Sequence, residues 1–249
     1  MIEQIGLIVL VTGLAFLLAG FVKGVVGMGL PTVAIGLLGL VMLPGEAAAL
    51  LIIPSLVTNF WQLAIGPGIG PLLRRLWPML AGICLGTLAG GWLLGAAMGT
   101  SAKGWLGAAL LLYASIGLSA VRFAVPARLQ PLLSPIIGTA TGLVTGATGV
   151  FVLPAVPYLQ ALEFERDELI QALGLSFTVS TLALAGDLFH GGVLRGPILG
   201  GSLLALLPAL AGMALGQWAR SRISPAMFRR CFFIGLLVLG GDLVVQAAL

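Results

Sequence analysis

The sequence predicts an all-α integral membrane protein, a polytopic helical bundle of two pseudo-symmetric repeats with broken or re-entrant helices. Three observations predict it: too little charge for a water-facing surface, apolar runs long enough to span a bilayer, and a glycine–proline pattern that occurs twice. Of the 249 residues, 59% are hydrophobic and 8% charged, and the mean hydropathy is +1.16. A soluble domain carries about a quarter charged residues, whereas lipid removes that need. The whole chain, 1–249, therefore reads as one transmembrane domain with no soluble appendage.

Taken in order, residues 5–22 predict a first helix that runs into Gly20, Lys23, Gly24, Gly27, Met28, Gly29 and Pro31, followed by a short apolar run to Leu43. Membrane helices are expected at 47–66, 77–98 and 103–121. Residues 132–145 then run into Gly142, Thr145, Gly146, Thr148, Gly149 and Pro154, and a second short run ends at Leu162. Helices follow at 168–189, 196–219 and 228–247. Each of the six long stretches has at least 19 residues, enough for a hydrocarbon core of about 30 Å at about 1.5 Å per residue. The start of the chain, Met1 to Gln4, has no basic residue and so does not read as a cleavable signal; the first helix belongs to the fold. Cys84 and Cys231 sit in or beside apolar runs and read as small fillers.

The two interrupted regions match. Gly20, Gly24 and Gly27 each lie 122 residues before Gly142, Gly146 and Gly149, and Pro31 lies 123 before Pro154. Ser55 matches Ser176, and the Ala81-Gly82/Leu85-Gly86 pattern recurs at Ala211-Gly212/Leu215-Gly216. The preserved order predicts an ancient duplication, 1–124 and 125–249. Short, Gly/Pro-interrupted segments in corresponding positions point to discontinuous helices at a transporter's binding site.

Loop charge suggests how the halves are related. If each interrupted pair enters and leaves on one side, Arg74, Arg75, Arg122, Arg128, Arg166, Arg220, Arg222, Arg229 and Arg230 share a side, against Lys103 and Arg195. Cytoplasmic loops collect Lys and Arg, so the charges favour inverted repeats with both termini outside and a multi-pass protein of the cytoplasmic membrane. The same clusters explain the net charge of +4 without a nucleic-acid partner.

With Gly20–Pro31 and Gly142–Pro154 in view, the chain resembles the sulfite exporter TauE/SafE family, also called the 4-toluene sulfonate uptake permease family. The resemblance extends over nearly the whole chain. It implies secondary transport of small anions such as sulfite, sulfonates and related organic anions. The family's fuller run of glycines is reduced here to Gly27-Met28-Gly29 and Gly149-Val150-Phe151.

The residues independently suggest an anion site. A helix starting inside the membrane offers free N–H groups and a positive dipole end; glycine permits the sharp turn before it, and proline suits its first turn. If inverted, two such starts would converge near the midplane. The candidate substrate contacts are Gly24, Gly27, Met28 and Gly29 at one break and Thr145, Gly146, Thr148 and Gly149 at the other. Lys23 reads either as a counter-charge or, the simpler reading, as a helix-end lysine reaching the interface. Ser55, Thr58, Asn59 and Gln62 share a helix face, with Ser176, Thr178, Ser180 and Thr181 on the matching helix. Ser55, Asn59 and Ser176 join the candidate contacts; the others read as ties between helices. Asp187, three residues before His190, and Asp242 read by default as interfacial polar residues and leave proton or ion coupling open; a homo-oligomer is left open too.

A rival from another class is an intramembrane aspartyl protease built on Asp187 and Asp242, or a membrane subunit that transports nothing. No zinc-protease motif or phosphate loop occurs in the sequence, so no catalytic residue, metal ligand or cofactor is expected.

Overall fold

The computed structural model describes residues 2–94, 102–119 and 124–248; Arg122 and the ends of the helices expected at 77–98 and 103–121 lie outside them. Among the described residues ten α-helices follow one another: α1 (Ile2–Val26), α2 (Leu30–Leu38), α3 (Pro44–Ala64), α4 (Ile69–Leu94), α5 (Ala102–Leu118), α6 (Gln130–Thr148), α7 (Ala155–Gln160), α8 (Arg166–His190), α9 (Gly196–Ala219) and α10 (Pro225–Ala248). Six are long and apolar enough to cross a membrane: α1, α3, α4, α8, α9 and α10.

Two expectations change. Helix α1 runs straight through Gly20 and Gly24 to Val26, and α6 runs through Gly142 and Gly146 to Thr148. In lipid an interrupted helix leaves backbone groups without partners, so glycine alone does not break one. These glycines let helices touch instead. A Cβ on Gly20 would stand 2.1 Å from Ala209 O and one on Gly24 2.3 Å from Met213 O, both in α9. Gly142 and Gly146 meet Ile83 O and Thr87 O of α4 in the same way. Second, α4 begins at Ile69, so Arg74 and Arg75 belong to its first turns rather than to a loop. Arg75 bonds Gln130 Oε1 at 3.2 Å and Leu162 O at 3.1 Å and stacks on Phe164.

Contacts fix the directions. Gly82 meets Pro135 and Gly90 meets Leu143, so α4 and α6 run parallel, as do α1 and α9. Gly107 meets Gly240 while Gly117 meets Phe233, so α5 and α10 are antiparallel. After α1 the chain turns back: Gly29 packs on Phe232 near the start of α10, and Gly36 on Leu239 further along it. After α6 it turns back again, bringing Ala161 O to Val125 N and Tyr158 to Ser134. One end of the bundle thus collects Arg74, Arg75, Arg128, Arg166, Arg220, Arg222, Arg229 and Arg230; Lys103 and Arg195 lie at the other.

Pro54 inside α3 has no N–H for Leu50 O. Ser202 of α9 supplies the missing bond, donating to Leu50 O at 2.8 Å and accepting from Ile53 N at 3.1 Å. This repair leaves α3 continuous and joins it to α9 at the centre of the bundle.

Candidate functional site

The chain leaves helical geometry after Val26, where Gly27 (φ 82°) and Gly29 (φ 102°) take left-handed conformations. Gly29 caps α2 with no side-chain hydrogen bond, and Pro31 lies in the first turn of α2. In that turn Pro31 has no N–H and Val33 N bonds Gly29 O at 3.0 Å, which leaves Leu30 N and Thr32 N without a bond among the described residues. Gln62 Nε2 donates to Gly27 O at 2.6 Å, pinning the end of α1 against α3.

One turn back along each of these parallel helices, Lys23 meets Thr58 and Asn59. Lys23 is only 3% exposed, which corrects the reading of an interfacial lysine. Its ammonium donates to Thr58 Oγ1 at 3.0 Å and to Asn59 Oδ1. Thr58 has given its own proton to Pro54 O at 2.7 Å, so its oxygen is an acceptor here. Asn59 Nδ2 donates to Ser55 Oγ at 2.9 Å, Ser55 to Thr181 Oγ1 at 3.1 Å, and Thr181 to Phe177 O at 2.6 Å. The donors point one way, from the cation to a backbone carbonyl on α8. Every partner of Lys23 is neutral, and no carboxylate among the described residues forms an ion pair with it. A buried lysine without a counter-ion is costly to charge, and an anion brought beside it would favour its charged form.

The second break differs. Gly149 (φ 75°) closes α6, and Val150 N bonds Thr148 Oγ1 at 3.1 Å. Thr145 and Thr148 donate to Thr141 O and Val144 O of their own helix. Val150 to Leu153 are buried, and Phe151 packs on Phe177 at 5.3 Å. This break is lined by apolar side chains, and no basic side chain belongs to it. Nor do the two breaks converge, as the sequence suggested. Gly27 faces Gln62 of α3 and Gly149 faces Ala48, fourteen residues or about 21 Å apart along one helix. The two breaks thus lie toward opposite ends of α3.

Of the candidate residues, then, Lys23, Gly27, Ser55 and Asn59 come together, with Met28 and Gly29 at the adjoining turn. Gly24 and Gly146 serve helix contacts, and Thr145, Thr148 and Gly149 belong to the distant break. Ser176 is buried with no partner for its hydroxyl, as are Ser180 Oγ and Gln62 Oε1. Sequence reasoning missed Gln171, whose amide bonds Leu63 O at 2.9 Å and Gly68 N at 3.0 Å and caps the end of α3. Its signal was a lone amide in an apolar run. It also missed Tyr113, buried with its hydroxyl 3.5 Å from Met28 Sδ.

Two cavities flank this network. At the arginine-rich end, one of about 760 Å³ is lined by Val25, Met28, Tyr113, Arg166, Arg220 and Arg229, among others, and so reaches the first break. Burial, and then the neighbouring charge of Arg166, push the Arg220 guanidinium pKa down, with Asp167 opposing; an anion there relieves the repulsion. At the opposite end, a cavity of about 740 Å³ is lined by Glu46, Gly91, Trp92, Asp187, His190 and Arg195, among others. Asp242, the other half of the imagined protease pair, is elsewhere, exposed on α10 and accepting from Gln246 at 2.7 Å. Among the described residues no cluster suited to a metal ion occurs.

A family model described as "Sulfite exporter TauE/SafE" matches residues 12–243. No curated protein and no solved structure matches the chain.

Proposed function

Because the chain belongs to the sulfite exporter TauE/SafE family, a family of membrane transporters, we propose that it carries a small monovalent or divalent anion, sulfite or a sulfonate, by alternating access. The observation that carries this reading is Lys23: a buried lysine with only neutral partners among the described residues, one helical turn before the break that leads into α2. The guanidinium groups of Arg166, Arg220 and Arg229 raise the local anion concentration in the vestibule. From there the anion reaches the turn at Gly27–Gly29, where Leu30 N, Thr32 N and the Lys23 amine receive it.

The two repeats, 1–124 and 125–249, are inverted in this reading. In support, α1 packs along α9 as α6 packs along α4, and each short helix folds back along the long one before it. The arginine-rich end is cytoplasmic, by the usual bias of such loops, and both termini face outside. The two halves contribute unequally: Thr145, the counterpart of Lys23, carries no charge.

Purified protein in proteoliposomes, tested for counterflow with sulfite, sulfate, small sulfonates and small carboxylates, decides the matter. Exchange of sulfite or a sulfonate is expected. Exchange of carboxylates alone, or of nothing, overturns the substrate class. The protease reading has no observation in its favour, since Asp187 and Asp242 sit at separate places.

A further inference from the structure

Helix α4 has two adjacent glycines with different neighbours. Gly90 faces Leu143 of α6, as the other packing glycines face theirs. Gly91 instead faces a carboxylate: a Cβ there would stand 1.7 Å from Asp187 Oδ1. Asp187 is thus lodged on the backbone of α4, half-buried in the wall of the 740 Å³ cavity. Among the described residues its carboxylate makes no hydrogen bond and no ion pair; His190, one turn on, directs Nδ1 to Gly186 O at 2.9 Å.

The same stripe of α8 leads inward. Positions 176, 180 and 187 are spaced by four and seven residues and so fall on one side of the helix, the side that Asp187 turns toward α4. Ser176 and Ser180 are fully buried, and neither hydroxyl has a partner. Orphaned buried hydroxyls mark places where water or a mobile proton carrier is held. Their depth is that of the Lys23 network: Thr181 bonds Ser55, and Gly174 packs against Asn59 and Gln62.

We propose that Asp187 is a proton-binding site, linked along the Ser180–Ser176 stripe to the interior, which couples anion movement to the proton gradient. This inference rests on the anion-transport reading above. Protons reach Asp187 from the cavity, whose other charged groups are Glu46 on α3, His190 on α8 and Arg195 before α9. Glu46, His190 and Arg195 are exposed and solvated; Asp187 alone sits in the helix seam, where gaining or losing a proton changes a charge held away from bulk water. One proton bound there accompanies each anion and is released on the other side, with no bond made or broken in the anion.

The test compares two assays on the same proteoliposomes, using the sulfite or sulfonate that the wild-type protein exchanges. Asp187→Asn is expected to keep counterflow within about twofold while losing pH-gradient-driven accumulation by at least about tenfold. Ser180→Ala, isosteric enough to fold, is expected to slow the gradient-driven assay and spare counterflow. Glu46→Gln, on the exposed side of the cavity, is expected to change neither. Accumulation by Asp187→Asn equal to wild type overturns the proposal, as does accumulation by wild type in response to a sodium gradient and not a proton gradient. Failure of wild-type counterflow is a different result: it removes the anion-transport reading itself, and the coupling inference with it.

Discussion

Lys23 Nζ lies 3.0 Å from Thr58 Oγ1 in the interior of the bundle, and Thr58 has already spent its proton on Pro54 O. A threonine that turns its lone pairs toward a lysine is placed there to hold a cation. Asn59, the other acceptor, hands the polarity on to Ser55 and α8. The lysine therefore arrives pre-positioned, without an opposing carboxylate to compete with a substrate.

Lys23→Met tests this arrangement. Sulfite counterflow is expected to fall at least about tenfold, while the elution profile in detergent stays that of a folded monodisperse protein. Wild-type exchange by this variant would remove Lys23 from the site.

The glycines of α1 separate into two kinds. Gly24→Ala drives a Cβ into the backbone of α9 and is expected to cost about 1–3 kcal/mol of stability. At Gly27 the nearest atom to a new Cβ is Gln62 Nε2 at 3.8 Å, so Gly27→Ala pays only for its positive φ, about 1–2 kcal/mol. Thermal unfolding in detergent ranks the first change as the more damaging. Initial counterflow rates, normalised to folded protein, fall for Gly27→Ala and hold for Gly24→Ala.

Ser202 and Pro54 form a thermodynamic pair although they do not bond each other. Ser202→Ala leaves Leu50 O and Ile53 N without their partner and is expected to destabilise by about 1–3 kcal/mol. Pro54→Ala restores an N–H to the helix, so the double variant recovers part of the loss. Additive effects in a double-mutant cycle would show that the serine does not repair the proline gap.

Topology is open to direct labelling. With Cys84 and Cys231 replaced by Ala, single cysteines at Gly68 and Ser221 are expected to react with an impermeant maleimide only from the cytoplasmic side. One at Gly192 reacts only from outside. Labelling of all three from one side contradicts the inverted arrangement.

The membrane class and most of the helices were legible because hydrophobic length is a local property. The polar face of α3 was legible for the same reason: Ser55, Thr58, Asn59 and Gln62 recur at helical spacing. What the glycines do was not. Gly20 and Gly24 look like a break, but whether a glycine interrupts a helix or admits a neighbour depends on what stands across from it, here Ala209 and Met213 of α9. The burial of Lys23 was hidden likewise, since α1 continues past it for another turn. The separation of the two breaks depends on the height at which each packs against α3, a tertiary fact that no repeat in the sequence records. Asp187 was visible as a residue but not as a group lodged on Gly91.

The place of Lys23 along α3 has an electrical consequence. Its partners Thr58 and Asn59 lie five or six residues from the end of α3 at Ala64 and about fifteen from its start at Pro44, or about 8 Å against about 22 Å. A membrane potential of 100 mV is worth about 2.3 kcal/mol per unit charge over the full thickness. In the proposed topology most of that drop separates Lys23 from the outer face, so voltage is expected to act mainly on exchange between the site and the outside and little on exchange with the cytoplasm. In that reading the position of one lysine on a helix decides which half of the transport cycle the membrane potential drives.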